Sequence, residues 1–422
     1  MVDIKYVNTA FSPAQEILDP ELFVGRKEQI KDGMLSLNNP GSFMSIYGLR
    51  GVGKSSIAHQ IELIAQGNRI LPKILDLTKF IPKGDFKYLT HYIKVDNFIE
   101  NVEDLIQRIL FGDNNSSSLF SLTKSGDRKL DAFKRIVGAE GGGNFFGVKL
   151  GAKGTEEKSY KTYVSDDLIQ QFKQILGTIQ KDNQQASGLL ILIDEFDTLK
   201  DKSGFSSIIK TCSSSFVKFG VIGIASDITE LIEDHSSIGR QIESIEVDRM
   251  PEYELLDILG KAEFHVRKEI IFDDSSKHSI VGQSEGFPYF VHLLGREAML
   301  IAFERGQRNI DNQIISLLSE KIANGKLKTI YENIYHSAVK NSPQRELLLK
   351  TFSETQDDEM HTENVYRFVK ELGVTNPSQL MKELTAPEKG SPVLIKIREK
   401  YYRFSDPVFK SYARLRNWKY QS

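Results

Sequence analysis

The stretch Gly48-Leu49-Arg50-Gly51-Val52-Gly53-Lys54-Ser55 decides how the rest of this 422-residue chain is organised. It fills every constrained position of the pattern G-x-x-x-x-G-K-[ST], in which glycines let successive backbone N–H groups turn toward phosphate oxygens. Residues 43–47 before it are apolar and aromatic, and residues 55–65 after it carry isoleucines at helical spacing. The order strand, loop, helix predicts a phosphate-binding loop at the positive end of a helix.

The lysine and the hydroxyl residue of such a loop have separate tasks. Lys54, expected to be a surface side chain, is predicted to reach the β and γ phosphates of a nucleotide, and Ser55 to ligate a magnesium ion. A glycine-rich turn with a chance lysine is the alternative, and the full match in the expected context makes it the weaker interpretation. The other residues of the loop region predicted to contact nucleotide are Gly48, Arg50, Gly51, Val52, Gly53 and Ser56.

Composition narrows the range of functions and partners. A formal net charge of -2 gives no global attraction to nucleic acid or anionic lipid, so any basic surface must be local. Cys212 is the only cysteine, so no internal disulfide can form, and the eight histidines show no metal-ligand spacing. The start MVDIKYVNTA lacks the features of a signal peptide, and no apolar run approaches the roughly 18 residues of a membrane span. We expect a cytoplasmic protein without a membrane partner.

A second segment predicts the other half of a nucleotide site. Residues 189–193, LLILI, form the continuous apolar run typical of a parallel strand buried on both faces, and the run ends in Asp194 and Glu195. Ligands of open α/β sheets bind at the carboxyl ends of the strands. We therefore predict that Asp194 holds magnesium through water and that Glu195 orients and polarises an attacking water. A strand that happens to stop at a charged turn is the alternative.

The remaining elements of this region follow from apolar periodicity. Residues 67–91 show little periodicity and are expected to be irregular. The glycine-dense segment 137–154, VGAEGGGNFFGVKLGAKG, predicts a β-hairpin or a mobile loop inserted in the sheet. It is either a contact loop for a partner or a flexible surface insertion. The predicted strands are residues 92–95, 216–225 and 243–247, and the predicted helices are 98–111 and 166–179.

A change of pattern follows Pro251. The spacing is helical to about Tyr335, and the last segment, from about Ser342, predicts a winged helix. Its third helix, residues 378–384 after Pro377, is in the position of a recognition helix but carries no arginine, which is a poor composition for base readout. The basic side chains of the final stretch still allow contact with DNA phosphates; they are Lys389, Lys396, Arg398, Lys400, Arg403, Lys410, Arg414, Arg416 and Lys419.

Three short segments carry a resemblance to AAA+ ATPases. Phe23-Val24-Gly25-Arg26 resembles their FVGR box, which folds over the nucleotide base with an apolar residue such as Val24 against the adenine. Ser226 matches the place of the sensor 1 residue, with a helix N-cap by Ser226 or Asp227 as the alternative. Arg240 matches the place of the arginine finger, with a surface arginine as the alternative.

The segment Gly286-Phe287-Pro288 resembles the GxP motif of STAND ATPases, in which the proline at the helix start touches the nucleotide. Origin-recognition initiators often carry an arginine at the next position, where this chain has Tyr289, and Arg296 is the candidate to substitute for it. A proline in the first turn of an ordinary helix is the alternative interpretation of Pro288.

In order, these motifs resemble the origin-recognition and STAND branches of the AAA+ ATPases. The resemblance implies an α/β P-loop NTPase domain of αβα type with a parallel sheet (1–250), a helical lid (251–338) and a winged-helix domain (339–422). It also implies ATP or ADP with Mg²⁺, and catalytic roles for Glu195, Lys54, Arg240 and Ser226.

Three functions remain open under this resemblance. The first is a STAND-like switch whose nucleotide state controls a homo-oligomer or a partner effector, for example in bacterial defence. The second is a DNA-binding initiator, loader or mobile-element regulator that uses the winged helix. The third is an adaptor or structural ATPase of a larger complex.

Overall fold

The computed structural model describes residues 3–13, 15–112, 117–124, 166–225, 227–232, 238–324, 329–355, 357, 359–386 and 392–417. The predicted insertion 137–154 and Ser226 lie outside these residues. The chain divides into two compact units. The sheet unit comprises Ile17–Leu49 and Lys54–Val247, and the helical unit comprises Met1–Glu16, Arg50–Gly53 and Asp248–Ser422.

As far as Val247 the described elements include five strands, each separated from the next by one or two helices, and after it they are mainly helical. Up to that residue they are α1 (Ile4–Thr9), α2 (Lys27–Asn38), β1 (Phe43–Gly48), α3 (Lys54–Ala65), α4 (Ile70–Ile74), β2 (Tyr88–Lys94), α5 (Val102–Phe111), α6 (Asp166–Asp182), β3 (Gly188–Asp194), α7 (Phe205–Cys212), β4 (Val217–Ile224), α8 (Ile228–Leu231) and β5 (Ile242–Val247). After it they are α9 (Glu252–His265), β6 (Ile271–Phe272), α10 (Asp274–Ser284), α11 (Pro288–Glu304), β7 (Asn309–Ile310), α12 (Asn312–Ala323), α13 (Thr329–Val339), α14 (Pro343–Glu354), β8 (Met360–His361), α15 (Thr362–Glu371), α16 (Pro377–Thr385), β9 (Leu394–Arg398), β10 (Tyr401–Phe404) and α17 (Pro407–Leu415).

The sheet unit is built on five parallel strands in the order β2-β3-β4-β1-β5. Every residue of β3 is buried, as its continuous apolar run predicts. Because all five strands run the same way, the segments that follow β1 and β3 leave the sheet at the same edge. This topology, with a glycine loop between β1 and α3, is that of a P-loop NTPase and confirms the predicted α/β fold class.

The two faces of β3 pack against different helices. Leu189, Ile191 and Ile193 lie in the apolar core that includes side chains of α5, α6 and α7. Successive side chains of a strand alternate between faces, so Leu190, Leu192 and Asp194 lie on the other face, where α3 packs across β1 to β4. The helix that begins with Lys54 and the acid that ends β3 therefore share one face of the sheet.

Several predicted boundaries were wrong. Strand β2 begins at Tyr88, four residues before the predicted start, and α4 lies within the segment expected to be irregular. Strand β2 is an edge strand with polar Thr90 and His91 in its middle, so its sequence lacks a clean apolar alternation. Helix α5 begins at Val102 rather than residue 98, because the Asn101 side chain accepts from the Asp104 N–H and caps it there.

The helical unit holds both the predicted lid and the predicted winged helix. Helix α11 packs against α1, α9, α10 and α12, and α14 packs against α13, α15, α16 and α17. The wing strands form a three-stranded sheet, β8-β10-β9, in which β10 is antiparallel to both neighbours. Arg416 donates two hydrogen bonds of 2.9 Å to Glu332 of α13, which ties the chain end to the lid helices.

The division into three domains at 250 and 338 remains a prediction. Among the described helices, none combines the length and the apolar character needed to cross a bilayer.

Candidate phosphate and magnesium site

The glycine loop leaves β1 through a backbone that only glycine tolerates. Gly48 has φ of +152°, and a Cβ there would lie 2.3 Å from the Val247 carbonyl oxygen. Helix α3 then begins at Lys54, so the N–H groups of its first turn, which have no partner within the helix, face the end of β1. This is the arrangement that binds phosphate at helix N-termini.

Lys54 is not the surface side chain that the sequence suggested. It is only 9% exposed, and its Nζ donates to the Gly48 carbonyl at 3.1 Å and the Leu49 carbonyl at 2.7 Å. The ammonium group is thus held back over the start of its own loop. A lysine in this position stabilises the loop conformation as well as offering charge to a phosphate.

The two acids after β3 have different surroundings. Asp194 is 2% exposed, and its Oδ1 accepts from the Glu195 N–H at 2.8 Å. Glu195 has φ of +53°, an uncommon value for a residue with a side chain, and it is about half exposed. The chain therefore turns sharply between a buried carboxylate and an accessible one, which suits a metal ligand followed by a water-orienting group.

Strand β2 supplies a partner for each acid, and the sequence analysis missed both. The Tyr92 hydroxyl donates to Asp194 Oδ2 at 2.7 Å, and Lys94 Nζ lies 3.0 Å from Glu195 Oε1. Lys94 pairs with Asp194 in the strand register, so side chains two residues apart on β2 reach the end of β3. Both residues lie within the predicted strand 92–95, but the sequence does not show that this strand pairs with β3 or in which register, so it could not connect them with the site.

The donor set fits a magnesium ion held on a nucleotide. A serine hydroxyl and a carboxylate supply the hard oxygen ligands that Mg²⁺ prefers, and such sites usually combine one or two protein ligands with phosphates and water. Ser55 is in the first turn of α3, and Asp194 is on the face of the sheet that α3 covers. The glycine turns leave the backbone open for phosphate oxygens. We conclude that the residues present suit a magnesium nucleotide.

The FVGR segment enters α2 through two consecutive left-handed residues. Gly25 has φ of +64° and Arg26 has φ of +58°, and both Val24 and Arg26 are buried. Ser56, predicted to contact nucleotide, accepts a hydrogen bond from the Ile17 N–H at 3.0 Å. The hydroxyl of Ser56 thus already anchors the segment that precedes the FVGR box.

Part of the glycine loop packs within the helical unit. A Cβ on Gly51 would lie 3.2 Å from Val408 and 3.6 Å from Tyr289, and one on Gly53 would lie 4.0 Å from Pro288. The Tyr289 N–H points to the Gly51 carbonyl at 3.5 Å. The GxP-like segment and the start of α17 therefore contact the middle of the loop directly.

Tyr331 lies behind this contact. Its ring packs against Phe409 and Tyr412 of α17, and it forms a side-chain hydrogen bond with Tyr289. Burial, followed by the negative charge of Asp406, raises the pKa of Tyr331 far above its ordinary value, so this tyrosine stays neutral.

The functional roles of Ser226, Arg240 and Arg296 remain predictions. Ser226 lies outside the described residues, and the Asp227 side chain accepts from the Thr229 N–H at 2.7 Å to cap α8. Arg240 is exposed in the turn before β5. Arg296, the candidate substitute for a sensor arginine, donates to Asn8 at 3.3 Å.

The basic stretch of the winged helix is smaller than its sequence suggests. Lys410 is 2% exposed and donates to the Asp357 carbonyl, Arg414 forms an ion pair with Glu285, and Arg416 is held by Glu332. Lys389 and Lys419 lie outside the described residues. The bases that stay exposed on the β9–β10 hairpin are Lys396, Arg398 and Lys400.

No protein-family model and no curated protein matches the chain. Similar solved structures include Cdc6p from Pyrobaculum aerophilum (13% identity, TM-score 0.44, covering 97% of this chain and 96% of that one). They also include the Aeropyrum pernix ORC1 protein in complex with DNA (15%, 0.42, 96% and 94%) and the Thermotoga maritima RuvB Holliday junction branch migration motor (12%, 0.43, 90% and 92%). The fold is evident from the strand order and the glycine loop without these likenesses.

Proposed function

We propose that the chain binds ATP with Mg²⁺ and hydrolyses it slowly, as a molecular switch of the AAA+ type. One observation carries this proposal. A complete phosphate loop joins β1 to α3, and a buried aspartate followed by an accessible glutamate ends β3 on the face that α3 covers. This combination serves phosphoryl transfer, in which the protein mainly positions groups and neutralises charge.

Each residue has a task within this proposal. The first-turn N–H groups of α3 and the Lys54 ammonium bind phosphate oxygens, while Ser55 and Asp194 hold the magnesium ion. The bound ion neutralises phosphate charge. Glu195 orients the attacking water, for which it must leave its ion pair with Lys94. The exposed Arg240 is proposed to act on the nucleotide of a neighbouring copy, which would make turnover depend on assembly.

The switch part of the proposal rests on the contacts of Gly51 and Gly53. Tyr289, Pro288 and Val408 lie against these residues, so a change in the phosphate loop alters the surface on which the lid and winged helix pack. The Arg414 to Glu285 ion pair ties α17 to the turn just before this segment. We propose that the nucleotide state thereby controls a homo-oligomer or a partner effector.

Glu195→Gln tests the ATPase. The amide keeps the shape but cannot polarise water, so nucleotide binding should remain while turnover falls by roughly 10²-fold or more. The matched control is Glu246→Gln, which removes an exposed carboxylate from β5 at the opposite edge of the sheet and should leave turnover unchanged. Equal ATPase rates for Glu195→Gln and wild type would remove Glu195 from the mechanism, and no ATP binding by wild type would end the proposal.

Weak DNA binding is a second candidate, supported by Lys396, Arg398 and Lys400 on one hairpin. Arg398 forms an ion pair with Glu359, with 2.8 Å between Arg398 Nη1 and Glu359 Oε2. The Glu383 side chain of α16 forms an ion pair with Arg345. The helix in the recognition position, α16, carries one basic residue, Lys382, and so presents little positive charge. Any affinity should be directed at phosphates and be insensitive to sequence.

A further inference from the structure

A polar chain of side chains links α3 to the buried aspartate at the end of β3. The Tyr92 hydroxyl donates to Asp194 Oδ2 at 2.7 Å, and the His59 ring stacks on the Tyr92 ring with centroids 4.1 Å apart and an angle of 15°. His59 Nδ1 lies 3.2 Å from Glu62, which also accepts from the Thr90 hydroxyl at 2.9 Å. The tyrosine ring is thus fixed on its face by the helix that begins with the phosphate loop.

The hydrogen bonds of Asp194 leave it able to serve a metal. Within the part of the chain that the structure describes, its two oxygens each accept one bond, from the Glu195 N–H and from Tyr92, whereas a carboxylate has about four acceptor positions. These two bonds set the orientation of the carboxylate plane. The remaining lone pairs are then directed by the strand end and by the tyrosine, rather than by rotation of a loosely held side chain.

We propose that Tyr92 is a positioning residue for magnesium: it orients Asp194, and the stacked His59 holds it in place. This inference rests on the proposed function, because it assigns Asp194 to the metal. Hydrogen-bond partners of metal ligands commonly change metal affinity by about 10- to 100-fold when they are removed. A purely structural tyrosine would instead change stability without changing the metal requirement.

The experiment measures binding of a fluorescent ATP analogue as Mg²⁺ is titrated, and again in EDTA. Tyr92→Phe keeps the ring and its stacking but removes the donor, so half-maximal binding should require roughly tenfold or more Mg²⁺, while the affinity in EDTA stays that of wild type. The matched control is Tyr88→Phe on the same strand, whose hydroxyl donates to the Leu37 carbonyl at 2.7 Å. Its Mg²⁺ requirement should not change.

A second pair of variants tests the stacking independently of the hydroxyl. His59→Phe retains a ring over Tyr92, whereas His59→Ala removes it, so only His59→Ala should raise the Mg²⁺ requirement. This pair decides the question if Tyr92→Phe does not fold.

The outcomes separate the inference from the proposed function. An unchanged Mg²⁺ requirement in both Tyr92→Phe and His59→Ala, or an equal shift in Tyr88→Phe, overturns the positioning role while the ATPase stands. A wild-type protein that binds no nucleotide, with or without Mg²⁺, overturns the proposed function itself.

Discussion

Replacing Lys54 by methionine should lower the unfolding free energy of the unliganded protein and abolish its stabilisation by ATP. Methionine keeps most of the apolar stem but removes the ammonium that donates to the Gly48 and Leu49 carbonyls. Each carbonyl that loses its donor in a buried setting costs about 1–3 kcal/mol, and part of this is offset because the ammonium no longer has to be desolvated. We expect the unfolding free energy of the unliganded protein to fall by about 1–3 kcal/mol.

The effect of ligand is the second half of this prediction. ATP at 100 times its Kd should stabilise the wild-type protein by about 2.7 kcal/mol, whereas the variant should gain almost nothing. Urea denaturation with and without Mg²⁺ and ATP measures both quantities. The difference in unfolding free energy between wild type and Lys54→Met should therefore increase when nucleotide is added.

Lys218→Met is the matched control for this pair of measurements. Lys218 is also a buried lysine of the sheet unit, 3% exposed, and its ammonium donates to the Ser36 and Asn39 carbonyls at the end of α2. Its loss should lower stability but preserve the gain from ATP. A Lys54→Met protein that gains as much from ATP as the wild type would refute the phosphate site, and one that is as stable as the wild type without ligand would refute the structural role of the ammonium.

Three further outcomes are expected. Arg240→Ala should bind ATP but lose roughly 10³-fold in turnover, and mixing it with Lys54→Met should restore part of the activity if the arginine acts between copies; full activity of Arg240→Ala alone would exclude a finger. Reversing Arg398 and Lys400 to glutamate should lower the salt slope of DNA binding by about two if both contact phosphates, and wild type that binds no DNA at low salt would remove the DNA candidate. Burial lowers the pKa of His91 and of His292 from 6.5 to about 4. As the pH falls, these histidines are therefore protonated in the unfolded chain before they are protonated in the folded protein. Stability should be complete above pH 6.5 and fall toward pH 4 by up to about 1.4 kcal/mol per pH unit for each histidine, and His91→Gln should remove about half of that slope in urea denaturation at stepped pH.

The parts of the site that the sequence predicted are those carried by consecutive residues. The loop that contains Lys54 directly follows a strand, and Asp194 is the last residue of one. Their positions at the carboxyl ends of these strands can therefore be predicted from the sequence alone. The contacts of Tyr92 and Lys94 depend instead on which strand neighbours β3 and in what register. Nothing in a polar edge strand indicates that register, so the two partners of the acids could be found only in the folded chain.

Charge was misread for a related reason. A run of basic residues predicts a positive surface only if the side chains face solvent, and partners distant in sequence decide this. Lys410, Arg414 and Arg416 are each engaged by groups between 53 and 129 positions away by residue number, namely the Asp357 carbonyl, Glu285 and Glu332. Lys54 differs in that its acceptors, the Gly48 and Leu49 carbonyls, belong to its own loop, yet its side chain is buried all the same.

Basic side chains that are engaged within the protein, rather than exposed, hold α17 of the winged helix in place. Lys350 donates to the Ala413 and Arg414 carbonyls at 2.8 and 2.9 Å, and so holds the carboxyl end of α17 from the side of α14. Together with the pairs of Arg414 and Arg416, this fixes α17 relative to the lid helices and places Val408 against Gly51. A DNA-binding helix would keep its lysine and arginine side chains exposed to solvent, where they could contact DNA phosphates. Here they anchor α17 with Val408 beside Gly51, an arrangement that favours the proposed nucleotide switch over the DNA-binding candidate.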